Sequence, residues 1–299
     1  MRLISFWGKG GVGKTTCAAA LATNLSEEKS VLLITNDPTP TLSDILETNL
    51  SAEPSKVPGY TNLYAAEIDE EAVIDMWKSR FGEEVYYILS SFLPVERDII
   101  DYIARAPGIS DQFMLYVIYE LWRSDRYDLI IWDTPASSGS LRLLRLEREM
   151  YSHLSDAVKM YLRLKGFLNK IRRGEGDPLT LINEWKLLAE NIFAMLSNPD
   201  HELNLVTIPE KMAFQVTNRL HSELREMGIN TSRVIVNMVL DPNVCKSCDP
   251  WARKVYSQQE ILKRFNRIYG NVLVIPNVSF EPIGREGLLR FSRFLLESF

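Results

Sequence analysis

No apolar run in this chain approaches the roughly 18 residues a helix needs to cross a bilayer. The longest reach about half that length, which argues against a helical membrane protein. The N-terminus enters an apolar strand at once, without the charged region, apolar core and cleavage site of a secretory signal. Cysteine is scarce, three in 299 residues, too few for a disulfide framework. The expectation is therefore a soluble, cytoplasmic protein. Excess basic charge is also missing: 34 Lys and Arg stand against 39 Asp and Glu, a net charge of -5. That balance offers no general attraction for a polyanion, so no nucleic-acid partner is expected. Internal repeats and low-complexity tracts are absent as well. What remains is a chain with 46% hydrophobic residues, enough for a sizeable core in one large α/β domain or one domain carrying a subdomain.

The most informative stretch is Gly8-Lys9-Gly10-Gly11-Val12-Gly13-Lys14-Thr15-Thr16. The apolar run Leu3 to Trp7 leads into it and the alanine-rich segment Ala18 to Leu25 leads out, which reads as strand, loop and helix. It satisfies G-x-x-x-x-G-K-[ST]. In that pattern glycines let backbone N–H groups turn inward around phosphate oxygens, and the following helix aims its positive dipole end at them. Lys14 would reach the β- and γ-phosphates of ATP, and Thr15 would offer its hydroxyl to Mg²⁺. Lys9 adds a second cation that phosphate binding alone does not require.

Along the chain, Val31 to Thr35 reads as a short buried strand. The polar, proline-containing segment Asn36 to Asp44 follows as a loop at its carboxyl end, where open α/β sheets place ligands. Asp37 in that loop is a candidate for positioning Mg²⁺ or the attacking water, or else a turn residue. Asn62 to Asp69 reads as another strand, and Glu70 to about Trp122 as mostly helical, punctuated by Pro94 and Pro107-Gly108. Tyr127 to Trp132 is a continuous apolar run that delivers Asp133 to the same edge. Asp133 is placed to hold the Mg²⁺ shell, directly or through water, with the loop Ser137-Ser138-Gly139-Ser140 able to respond to the γ-phosphate. Glu149 to Ser197 is helical again, in two broad apolar stripes, Met150 to Ile171 and Ile182 to Leu196, separated by a polar loop Arg172 to Pro178. These stripes carry more apolar surface than one buried face requires. Strands and helices then alternate: strand Leu203 to Ile208, helix Ala213 to Met227, strand Arg233 to Leu240, helix Trp251 to Tyr269, strand Asn271 to Ile275, helix Arg285 to Leu296. The fold class is α/β, a doubly wound, mostly parallel sheet of the P-loop NTPase type. An inserted helical subdomain is expected over about 70–125 and 149–198.

Cys245-Lys246-Ser247-Cys248 supplies two thiols, half of a tetrahedral zinc shell, and the chain offers no second pair. A two-fold dimer would supply the other half. A redox pair or two unconnected thiols stay open, and four thiolates across a dimer would also suit an iron–sulfur cluster. Cys17, in the helix after the phosphate loop, reads as a small core residue.

GKGGVGKT resembles the deviant phosphate loop of dimeric ATPases of the partition, division-site, nitrogenase-iron-protein and arsenical-pump groups. There the first lysine crosses to the partner's nucleotide. The resemblance implies a homodimer in which Lys9 stabilises charge on the departing γ-phosphoryl. With Asp37, Asp133 and the cysteine pair in view, nearly the whole chain resembles the arsenical-pump and tail-anchored-protein-targeting ATPase family. Thr35-Asn36-Asp37-Pro38 and Leu42-Ser43-Asp44 match its first switch; Asp133, Thr134 and Leu141-Arg142-Leu143-Leu144 match its second. The sequence departs where Thr39-Pro40 and Ser138-Gly139 stand in place of Ala-His and Gly-His, so both switch histidines are missing. The resemblance implies that Asp37 activates water, that Asn237 contacts adenine, that Pro276 begins a base-contacting loop, and that Cys245 and Cys248 share Zn²⁺ between subunits. It further implies an apolar groove for the transmembrane segments of client proteins, with a membrane receptor as a further partner. Two alternatives stand beside it: a subunit driving an arsenite or antimonite pump, and an iron–sulfur carrier or scaffold.

Overall fold

The computed structural model describes residues 2–37, 41–90, 94–135, 178–245 and 247–296. The chain divides into two compact units. One is built from the described residues within Met1–Asp69, Glu120–Ser138 and Ser197–Phe299, the other from those within Glu70–Tyr119 and Gly139–Leu196.

The first unit is a single sheet of eight strands: β1 (Arg2–Trp7), β2 (Val31–Thr35), β3 (Ser55–Lys56), β4 (Leu63–Glu67), β5 (Leu129–Asp133), β6 (His201–Thr207), β7 (Thr231–Val239) and β8 (Val272–Pro276). Their order across the sheet is β3-β4-β2-β5-β1-β6-β7-β8, and every pairing is parallel except β3 with β4. Strands β1, β2 and β5 carry buried apolar side chains at almost every position. Such continuous runs are what a parallel sheet covered on both faces demands. The chain leaves β1 toward β2 and β4, returns through β5, and continues on the far side of β1 with β6. The carboxyl end of β1 is therefore the point where strand order reverses, and ligands of open α/β sheets bind there.

Helix α1 (Lys14–Leu25) begins at that point. Its Cys17, Ala18, Ala19, Ala20, Leu21 and Ala22 are all fully buried, in one cluster with Ile4, Phe6, Leu33 and Ile131 of the sheet. The run of alanines lets the helix backbone lie close to the strands and leaves room on its other side for α9 (Gly284–Leu296), which buries Leu288, Phe291 and Leu295. Arg285 of α9 pairs with Glu27 at 2.9 Å, and Arg290 lies over the Phe280 ring at 4.0 Å. Between β6, β7 and β8 come α7 (Lys211–Glu226) and α8 (Asp249–Ile268). Both are amphipathic, burying Phe214, Leu220 and Leu224, and Val255, Ile261 and Phe265 respectively.

The expected loop after β2 contains a helix, α2 (Thr41–Leu46). Six residues are too few to show a helical period, and what holds the helix comes from elsewhere. Glu67, the last residue of β4, accepts from the Leu42 N–H at 2.9 Å, the Ser43 N–H at 3.2 Å and the Ser43 hydroxyl. Those are the orphan donors of a helix start, and a carboxylate there also suits the helix dipole.

In the second unit, α3 (Glu70–Ser90), α4 (Ile99–Ala104), α5 (Ile109–Ser124, its last residues in the first unit) and α6 (Pro178–Leu196) are the described helices. Phe81 of α3 is edge-on to Phe113, Tyr116 and Trp185, and the Trp185 indole donates to Glu84 at 2.7 Å. The stripe expected over Met150 to Ile171, the loop Arg172 to Asp177, the Ser137 to Ser140 loop and the second-switch residues 141–144 lie outside the described residues. So do Pro38-Thr39-Pro40 and Lys246. Among the described residues, no helix is long and apolar enough to cross a membrane.

Candidate functional site

The phosphate loop is folded by two close approaches. Gly13 caps α1 in the left-handed region, φ 94°, and a side chain there would run into the Asn237 amide. Gly8, φ 154°, turns so close to the Val206 carbonyl that a Cβ has no space. Only glycine fits both demands at once. The first intrahelical bond of α1 runs from the Cys17 N–H to the Gly13 carbonyl at 3.0 Å. The N–H groups of the turn before it have no carbonyl to reach inside the helix. They sit where the dipole is positive, which is an anion site. A γ-phosphate and its diphosphate tail are anions of the right kind.

Lys14 opens α1 and is buried, 6% exposed, with Asp133 and Asp37 acting on its charge. Burial lowers its pKa while the two carboxylates pull it back up, so phosphate arriving at the loop adds a further counter-charge. Lys9 is exposed on the same loop and makes no ion pair among the described residues.

Asp133 ends β5, in register with Phe6 of β1 and Thr35 of β2. One of its oxygens, Oδ2, accepts from Thr15 Oγ1 at 2.7 Å and from Thr35 Oγ1 at 3.4 Å; the other, Oδ1, is buried without a hydrogen-bond partner among the described residues. Burial raises its pKa to about 7, while the Thr15 hydroxyl and Lys14 pull downward. A buried carboxylate with an unused oxygen beside a threonine hydroxyl fits Mg²⁺. Thr15 and Asp133 would hold the ion, directly or through water, and it would supply positive charge against the charge that develops on the phosphate.

Thr35 is the residue that sequence reasoning left without a role of its own. Its hydroxyl donates to the Asp133 carbonyl at 3.1 Å and accepts from the Asp37 N–H at 3.2 Å. It thereby ties the half-buried Asp37 to Asp133 across two strands. The only local signal was a hydroxyl closing an otherwise apolar strand. Val12, buried beneath the loop, gives its carbonyl to Asn237 Nδ2 at 3.0 Å, and Asn237 Oδ1 accepts from the Met238 N–H at 2.9 Å. Asn237 is thus held against the phosphate loop. Pro276 pairs with Val239 one strand further out, at the same edge. Met238 takes a left-handed φ of 58°, beside a break in the β7–β8 register.

Cys245 and Cys248 lie on the loop between β7 and α8, Cα atoms 5.6 Å apart, and are joined as a disulfide. Trp251 closes that loop by donating to the Asp241 carbonyl at 3.1 Å. No group of three or more His, Cys, Asp or Glu poised for a metal occurs among the described residues. The pair can therefore offer zinc two ligands from one chain, and only after reduction to thiolates. Cys17 is fully buried and free, its thiol pushed well above the ordinary range by burial, so it is core as expected.

A family model described as anion-transporting ATPase matches residues 1–297. The putative arsenical pump-driving ATPase 2 of Aquifex aeolicus is 31% identical, over 99% of this chain and 99% of its own. ATPase get3 of Schizosaccharomyces pombe is 30% identical, over 100% of this chain and 92% of its own. ATPase GET3A of Arabidopsis thaliana is 29% identical, over 97% and 82%. A glycine-rich loop opening a helix, with Asp37 and Asp133 at the same sheet edge, on a chain matched almost end to end, places this protein in the anion-transporting ATPase family as an enzyme that hydrolyses ATP.

Proposed function

We propose that two copies of this chain form a Mg²⁺-dependent ATPase whose nucleotide state opens and closes an apolar groove for the transmembrane segments of tail-anchored proteins. The observation that carries this reading is the unequal placement of the two loop lysines. Lys14 is committed to its own chain's phosphate end, whereas Lys9 is exposed and free of ion pairs among the described residues. A cation so placed suits the nucleotide of a second copy, where it would act as an arginine finger does. Asp37 orients the attacking water, and Asn237 and Pro276 take the base. Cys245 and Cys248, once reduced, share one Zn²⁺ with the same pair from the partner subunit. On the second unit, Val85, Tyr86, Tyr87, Ile88 and Leu89 of α3 are all half-buried, leaving apolar surface that a client helix would cover. The family resemblance supports both the client class and a membrane receptor.

A photoreactive transmembrane peptide tests the reading. Crosslinking is expected to differ between the protein loaded with a non-hydrolysable ATP analogue and the same protein with ADP; capture that ignores nucleotide would count against it. The name of the Aquifex aeolicus relative favours a second reading, a subunit driving an arsenical pump. Metalloids take soft thiolates. Here one cysteine is enclosed in the core and the other two are bonded to each other. Arsenite and antimonite are therefore expected to leave ATP turnover unchanged, and stimulation would restore the pump reading. Brown protein from anaerobic purification would instead favour a cluster carrier or scaffold.

A further inference from the structure

On the sheet face opposite α1, three neighbouring strands and the residue just past the end of a fourth carry a row of polar and aromatic side chains that the phosphate chemistry has not used. In parallel strands, residues in register share a face, and so do residues two apart along a strand. His201 of β6 is in register with Leu3, Ser5 with Trp132, and Trp132 with Ile34. His201, Ser5, Trp7, Trp132 and Asn36 thus fall on one side. Their contacts are continuous. The Ser5 hydroxyl is hydrogen-bonded to His201 Nε2 at 2.8 Å and accepts from the Trp7 indole at 2.8 Å. The Trp7 ring meets Trp132 edge-on, centroids 5.5 Å apart at 77°. The Trp132 indole donates to Asn36 Oδ1 at 3.3 Å.

The positions of these residues matter more than their number. Trp7 immediately precedes Gly8, Trp132 immediately precedes Asp133, and Asn36 immediately precedes Asp37. Both tryptophans are buried, 3% exposed each, so neither indole can exchange its partner for bulk water. Trp7 is fixed at its nitrogen by Ser5 and packs against Trp132, which limits where the Trp132 indole can aim. Asn36 is the only member of the row beyond the end of a strand. It is held from below by that indole, while the next residue is held at its N–H by Thr35.

We infer that Trp132, braced by Trp7, is a positioning residue for hydrolysis: through Asn36 it sets where the Asp37 carboxylate stands relative to the attacking water. This rests on the reading of Asp37 as the water-orienting group. The side-chain hydrogen bonds of the row run from His201 to Ser5 and Trp7 and from Trp132 to Asn36, and none of these ends on a side chain of Thr15, Asp133 or Asn237, so the link acts on turnover and not on nucleotide affinity.

A double-mutant cycle on ATP turnover tests it, with Trp132→Phe, which keeps an aromatic ring but removes the N–H donor, and Asn36→Ala. Each single variant is expected to lower kcat about fivefold, the scale of one hydrogen bond, with KM for ATP within about twofold of wild type. The double variant is expected to be no slower than the worse single one, because both remove the same contact. Unchanged turnover in Trp132→Phe, or losses that multiply to about 25-fold in the double variant, would overturn the inference. Should Trp132→Phe fail to fold, Asn36→Ala carries the test alone. It must shift one of the six indole N–H resonances and lower kcat, and leaving either unchanged is a refutation. Asp37→Asn run in parallel separates the two ideas. If it turns over normally, the role assigned to Asp37 is wrong; if it is inactive while Trp132→Phe is fully active, only the brace is wrong.

Discussion

Asp133 carries the sharpest electrostatic consequence at the scale of single residues. In the folded, ligand-free chain, burial raises its pKa from the ordinary 3.8 to about 7. Between those values the folded state binds more protons there than the unfolded state does, so this group's contribution to stability falls as pH rises from about 4 to about 7 and is level above that. The difference in urea stability between wild type and Asp133→Asn, which cannot titrate, is expected to follow that curve. A difference independent of pH would show that Asp133 ionises normally. Mg²⁺ held by Asp133, as proposed, would compete with the same proton, so Mg²⁺-dependent ATP binding is expected to weaken below about pH 7. The residue-level roles were unevenly legible in the sequence. Lys14, Thr15 and Asp133 sit in patterns fixed by local spacing. Thr35, Asn36 and Trp132 are hydrogen-bonded to partners one strand away, and cross-strand register cannot be read from a single segment.

Among the elements, the junction of β1 and α1 depends on Gly13. Alanine there would meet a left-handed φ and the Asn237 amide together. The loop would have to move, and Asn237 would lose its hold on the Val12 carbonyl. Gly13→Ala is expected to reduce stability by about 1–3 kcal/mol and to weaken ATP binding at least tenfold. Calorimetric binding with near-native affinity would contradict this. Most strands and helices of the first unit were readable because buried parallel strands leave unbroken apolar runs and α7 and α8 keep a helical period. α2 and β3 were not. The first is stabilised by a carboxylate on another strand, and the second is two exposed residues at a sheet edge. The expectation of a plain loop from Asn36 to Asp44 failed for that reason.

At the scale of the whole molecule, the proposed catalytic unit contains two chains. Each contributes two sulfurs, so reduced protein should hold one zinc per two chains, and Cys245→Ser with Cys248→Ser should weaken dimerisation while the monomer still binds ATP. One zinc per chain would refute the shared site. The most direct test pairs two inactive variants. A chain with Lys9→Ala keeps its own Lys14 and can bind ATP, and a chain with Lys14→Ala loses its own nucleotide but retains Lys9. Co-expressed with different tags and purified as the mixed dimer, they contain one complete site of two, and about half the wild-type ATPase rate is predicted, against almost none for either variant alone. A mixed dimer as inactive as its parents, or a Lys9→Ala protein active without a partner, would contradict catalysis across two chains.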